Sequence, residues 1–294
     1  LDILIRGALN LACTHIFNVV PKFGVMAVGG YGRGELAPHS DIDLLFLMPE
    51  RGSKQQEPLV EFLLYLLWDM GLTVGHASRS LRQNLSAADE DVTICTSLLE
   101  MRPIGGDKAV CEKMMQAFSK WLGRQPAARF VSAKLEERDA RIIRTGGTRY
   151  AVEPNVKDGK GGLRDLHTLF WIAKFAYRVN SISDVLDTGI VRQSEARSFA
   201  SAQRFLWTTR CFLHLHHGRE DDRLSFDAQM EIAPQMRFSD RGGLRGVERF
   251  MKRYFLAARH VGNLTRIFCA ALETDFDKRP RLSLKKFWAS DAQA

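Results

Sequence analysis

Val28-Gly29-Gly30-Tyr31-Gly32-Arg33-Gly34-Glu35-Leu36-Ala37-Pro38-His39-Ser40-Asp41-Ile42-Asp43 runs straight into Leu44-Leu45-Phe46-Leu47-Met48. A short apolar segment, 23–28, leads into the glycines, and a second, 42–48, follows the aspartates and stops at Pro49, so the pattern predicts two buried strands joined by a glycine-rich turn. Asp41 and Asp43 alternate with Ile42. In an extended chain their side chains leave the same face, about 7 Å apart along the backbone. Hard carboxylate oxygens so placed suit Mg²⁺, which binds through one or two carboxylates plus substrate phosphates. The preceding glycines let backbone N–H groups approach a triphosphate with no Cβ in the way. Ser40 and Arg33 are the nearby candidates to touch phosphate oxygens. The run is not a P-loop, because no GKS or GKT follows, and it does not fit the dinucleotide fingerprint, which opens a long helix.

Outward from this stretch, residues 1–20 read as a helix ended by Pro21, 58–70 as a helix closed by Gly71, and 72–78 as a third strand. A helical segment over 86–96 and a fourth strand over 97–104, stopped by Gly105-Gly106, complete a mixed α+β unit. Composition shifts near 123–126. Beyond it Phe199, Ala202, Leu206, Thr209 and Leu213 share one helical face, as do Val247, Met251, Tyr254, Ala258, Val261, Thr265 and Phe268. The expected organisation is a catalytic domain over 1–124 and an all-helical substrate-binding domain over 125–294.

The 294 residues are 45% hydrophobic and 26% charged, ordinary for a globular protein. The longest aliphatic-aromatic run, 62–68, is far too short to span a bilayer. Five scattered cysteines without a CxxC pair argue against a zinc ribbon and fit unpaired thiols, so a cytoplasmic setting is expected. The chain opens on leucine, without a secretory leader, and is expected to be a piece of a longer protein. The net charge of +8 is spread rather than blocked, and no aromatic-basic platform accompanies it, which disfavours nucleic acid as partner.

The glycine-aspartate run resembles the signature of the polymerase-β-like nucleotidyltransferases. More narrowly, it is similar to the bacterial protein-PII uridylyltransferases. Supporting stretches are Trp68-Asp69-Met70-Gly71-Leu72-Thr73-Val74-Gly75-His76, Glu153-Pro154-Asn155-Val156-Lys157 with Gly161-Gly162-Leu163-Arg164-Asp165-Leu166-His167-Thr168, and Glu220-Asp221-Asp222-Arg223-Leu224-Ser225-Phe226-Asp227. The resemblance implies a polymerase-β-like fold with a mixed sheet. It also implies Mg²⁺-dependent transfer of UMP from UTP to a tyrosine hydroxyl of the PII signalling protein, with release of pyrophosphate. Asp41 and Asp43 would be the metal ligands, and Gly29 and Gly30 would hold the triphosphate. The superfamily usually adds a third carboxylate. Glu100 is the candidate, as ligand or as base for the tyrosyl proton, its alternative being an ion pair with Arg102. The HD and ACT domains that the full-length family carries for UMP removal and glutamine sensing have no counterpart in the 294 residues, so only the transfer half is expected.

Three further readings stay open at this point. Gly159, Gly161 and Gly162 opening a helix, with Lys157, Lys160 and Arg164 beside them, form either an anion site or a structural docking loop. His214, His216 and His217 with Glu220, Asp221 and Asp222 read as packing or capping groups rather than a metal cluster, with His216 nearest the apolar face. Rival functions are an RNA-directed nucleotidyltransferase sharing the metal site and a non-catalytic scaffold of the same fold.

Overall fold

The computed structural model describes residues 1–52, 54, 56–179, 184 and 192–277. The chain divides into two compact units, Leu1–Gln125 and a second beginning at Pro126. The first unit is a four-stranded mixed sheet with helices. Its strands are β1 (Gly24–Ala27), β2 (Ile42–Met48), β3 (Val74–Ser80) and β4 (Arg102–Gly106), in spatial order β3-β2-β1-β4. β1 is antiparallel to both β2 and β4, whereas β2 and β3 run parallel.

Helices α1 (Asp2–Leu11) and α3 (Glu57–Asp69) cover one face of the sheet. Ile5, Leu9, Leu63 and Leu67 pack there against Val25, Ala27, Leu44 and Phe46. Every residue of β2 is buried except Asp43. Burial on both faces explains why this strand reads as a continuous apolar run. α2 (Gly29–Gly32) is a single helical turn between β1 and β2. The α3 terminus is a glycine stop: Gly71 takes φ +76, and Leu72 N–H reaches back to the Leu67 carbonyl at 3.1 Å.

Several expected boundaries move. The opening helix ends at Leu11 and continues as a π-helical turn over Ala12–Ile16 rather than running to residue 20. The third strand begins and ends two residues later than expected. The segment expected as one helix and then a strand over 97–104 is two helices, α4 (Leu81–Glu90) and α5 (Val92–Leu99), before β4. Side-chain caps account for the difference. Ser80 and Gln83 form a reciprocal capping box at the start of α4, and Asp91 accepts the Thr93 N–H at 2.6 Å to start α5. α6 (Lys108–Arg124) closes the unit, capped by Asp107.

In the second unit, α7 (Ala127–Arg144) is joined by a long loop to α8 (Leu163–Tyr177), followed by α9 (Gln193–His217), α10 (Phe226–Gln235) and α11 (Gly246–Asp277). The two helical faces read from the sequence are the buried ones. Ala202, Leu206, Thr209 and Leu213 of α9 and Tyr254, Ala258, Val261, Thr265 and Phe268 of α11 are buried, and Phe199, Val247 and Met251 are partly so. Among the described residues, no helix is long and apolar enough to cross a membrane.

Phe46 is fully buried at the sheet centre, whereas Ile3 on α1 is 84% exposed. Phe46→Ala is expected to cost about 3–5 kcal/mol of unfolding free energy, and Ile3→Ala about 0.5 kcal/mol or less. Urea titration of both variants checks this; equal losses would refute the assignment of the core.

Candidate active site

The glycine turn is built directly over the start of β2. Val28 N–H donates to the Asp43 carbonyl at 3.1 Å, which fixes the turn to the strand that carries the aspartates. Asp41, just before the strand, and Asp43 within it are both exposed, while Ile42 between them is buried. The alternation therefore places the two carboxylates on one open face, as their spacing requires. Two glycines keep space around Asp43. A Cβ on Gly29, whose φ is +56, would lie 2.6 Å from Asp43 Oδ2, and one on Gly75, paired with Asp43 across the parallel ladder, 2.9 Å from Oδ1. Gly30 is similarly tight, its Cβ position lying 3.0 Å from the Glu35 carbonyl oxygen.

Around this pair the other candidates fall into two groups. The Ser40 hydroxyl oxygen, one residue before Asp41, is buried and has no hydrogen-bond partner, a polar group suited to a ligand oxygen. Arg33, at the end of α2, donates through Nε to Glu35 at 3.1 Å and lies 3.9 Å from a Glu100 oxygen. Glu100 is buried at the C-terminal end of α5. Its cation is Arg33 rather than Arg102, which instead pairs with Asp2. The carboxylates of Asp41, Asp43 and Glu100 do not converge to within 4.8 Å of one another; the trio among the described residues that does is His214, Glu220 and Asp222.

That second trio belongs to an ion-pair network. Arg210 Nε donates to Asp222 at 2.7 Å, Arg210 Nη2 to Glu220 at 3.0 Å, and Lys157 Nζ to the same Glu220 oxygen at 2.7 Å. The buried His214 lies 3.0 Å from Asp222 through Nε2. Two cations already serve these carboxylates, which makes the cluster a poor cation site. His214, rather than the exposed His216, is the histidine facing the interior. The register of α9 decides this, with His214 following the buried Leu213.

The glycine loop before α8 is likewise engaged internally. Val156 N–H donates to the Asp222 carbonyl at 2.8 Å and Leu224 N–H to that of Pro154 at 2.9 Å, so the segments at 154–156 and 222–224 pair with each other. At the start of α8 backbone N–H groups meet partners from the chain itself. Leu163 and Arg164 N–H groups donate to the Val156 and Lys157 carbonyls, and the Asp165 carboxylate accepts from Gly161 N–H at 2.8 Å and from Arg141. Lys160 is buried, and Arg164 lies 3.5 Å from Asp158. The loop packs closely within the second unit: a Cβ on Gly161, φ +82, would meet the Ala258 carbonyl oxygen of α11 at 2.6 Å.

The first unit combines a mixed sheet with a glycine turn beside Asp41 and Asp43, and residues 15–86 match the nucleotidyltransferase domain model. Residues 129–269 match the model described as GlnD PII-uridylyltransferase. The chain is 47% identical to the bifunctional uridylyltransferase/uridylyl-removing enzyme of Azospirillum brasilense over 293 residues, covering 98% of this chain and 31% of that protein. It is 47% identical to that of Rhodospirillum rubrum over 289 residues (97% and 31%) and 50% identical to that of Bradyrhizobium sp. strain ORS 278 over 277 residues (92% and 30%). Over almost its whole length the chain is thus similar to these enzymes, and it spans less than a third of their length.

Burial pushes the Asp222 carboxyl up, but hydrogen bonds from His214 and Arg210, with the charges of Arg210 and Lys157, more than offset this and hold it below its ordinary 3.8. Asp2, held chiefly by its hydrogen bond from Arg102, lies at about 2. Both folded values lie under the unfolded ones. Their stabilisation is therefore fully present above about pH 4 and lost as pH falls through the folded values. Unfolding free energy is expected to fall from pH 4 towards pH 2. Asp222→Asn should cost about 3 kcal/mol at pH 7 and flatten the acid dependence; an unchanged slope in urea titrations at pH 3 and pH 7 would refute the network's role.

Proposed function

We propose that this chain transfers UMP from UTP to a tyrosine hydroxyl of a PII-type signalling protein, with Mg²⁺ and release of pyrophosphate, in the cytoplasm. The observation that carries the reading is the open Asp41/Asp43 face with Gly29 and Gly75 bare beside it, in a chain 47% identical to named uridylyltransferases. Enzymes of this class work on a nucleoside triphosphate with a divalent metal. The donor set fits such an ion: two exposed hard carboxylates, room kept by glycines, and an unpartnered Ser40 hydroxyl alongside. When bound, the metal neutralises phosphate charge and favours an in-line displacement.

In this proposal Asp41 and Asp43 hold the ion, and the Gly29-Gly30 backbone cradles the triphosphate. Ser40 and Arg33 contact phosphate oxygens; separately, in the second unit, the half-buried Arg164 guanidinium is an anion-contacting group. The tyrosyl oxygen forms a bond to the α-phosphorus while the bond to pyrophosphate breaks, and the phenolic proton passes to a base. Glu100 is the third acid, and its buried ion pair with Arg33 couples it to the phosphate-facing side of the site.

Incubating the protein with labelled UTP, Mg²⁺ and PII tests this directly. Label is expected on PII. Asp41→Asn and Asp43→Asn should each lower transfer about a hundredfold or more while leaving melting temperature unchanged or slightly raised, since removing one of two like charges relieves repulsion. Full transfer by the double variant would sink the metal assignment, and label on RNA would replace the acceptor.

A further inference from the structure

α2 has the sequence Gly-Gly-Tyr-Gly, so its orientation rests on a single side chain. A four-residue turn with three glycines lies far below the length at which a helix holds itself, and each glycine adds backbone freedom. Its order must come from outside. The Tyr31 ring is buried, and its hydroxyl donates to Asp2 Oδ1 at 2.8 Å. Arg102, at the start of β4, grips the same Asp2 carboxylate with both terminal nitrogens, donates to the Tyr31 carbonyl at 3.3 Å, and lies 5.5 Å over the Tyr31 ring. On the other side Gly32 is pressed against the 100–102 turn, where a Cβ would come 2.1 Å from the Glu100 carbonyl oxygen. The opposite end of this same turn is Gly29, against Asp43.

We propose that Asp2 is a positioning residue for nucleotide binding, setting through Tyr31 and Arg102 the placement of the Gly29-Gly30 turn over Asp43. The inference rests on the transferase reading above. Asp2 touches no substrate; it acts through the only side chain that α2 possesses. Its carboxyl is ionised throughout neutral pH, so the clamp operates unchanged across the working range.

The test is steady-state transfer to PII together with equilibrium binding of UTP, for the wild type, Asp2→Asn, Tyr31→Phe and Arg102→Lys. Asp2→Asn and Tyr31→Phe should each raise KM and Kd for UTP about tenfold, the loss expected of one hydrogen bond to a charged group. KM for PII and kcat should stay within about twofold, Arg102→Lys should fall between wild type and Asp2→Asn, and the ratio to wild type should be constant from about pH 6 to 9. A lower melting temperature with UTP KM and Kd unchanged would overturn the proposal and leave the clamp purely structural. Tyr31→Phe, which keeps the buried ring, decides the question should Asp2→Asn not fold. A wild-type protein that neither binds UTP nor labels PII would instead refute the transferase reading, and this inference with it.

Discussion

One constraint governs the first unit: Asp43 must stay open on a strand that is buried everywhere else. A carboxylate at the edge of an apolar core is tolerated only where solvent or a ligand reaches it. The chain secures that access by omission. The nearest positions on both sides, Gly29 on the preceding turn and Gly75 on the parallel neighbour, lack the side chains that would close over it. The parallel pairing of β2 with β3 is what brings Gly75 opposite Asp43, so sheet topology and site geometry are one arrangement. The cost is a turn of glycines with little order of its own, which is why contacts from α1 and β4 converge on Tyr31.

The strands β1 and β2 were legible because both are continuous apolar runs bounded by glycine or proline, and the two long helical faces because Leu206, Leu213, Tyr254 and Val261 recur at helical spacing over many turns. The second half of the first unit was harder. Thr93 through Leu99 is rich in β-branched and apolar residues, which suits a buried strand and a buried helix equally. The Asp91 cap decided for helix, and it is a single hydrogen bond. A Ser-x-x-Gln box from Ser80 to Gln83 was present in the sequence as a start signal four residues long.

The site divides in the same way. Spacing alone placed Asp41 and Asp43 on one face, because alternation in a strand is a local property. The partner of Glu100 depends on how α2 and α5 pack. Arg102 lies two residues from Glu100 in sequence yet pairs with Asp2, a hundred residues away, while Arg33 comes from the glycine turn. No local pattern carries that information. His214 is a similar case: three histidines in four positions sample most of a helical turn, and which one faces inward is set by the tertiary packing of α9.

The basic character of the chain also changes meaning once contacts are known. Lys157 and Arg164 looked like raw material for anion binding, yet Glu220 and Asp158 respectively lie within ion-pair distance of them, as Asp222 and Asp165 do of Arg210 and Arg141. Pairing Arg141 with Asp165 also supplies the start of α8 with its negative charge, which is what a helix terminus favours. The N–H groups of Leu163 and Arg164 likewise meet the chain's own carbonyls, so an incoming anion would compete there with partners already in place.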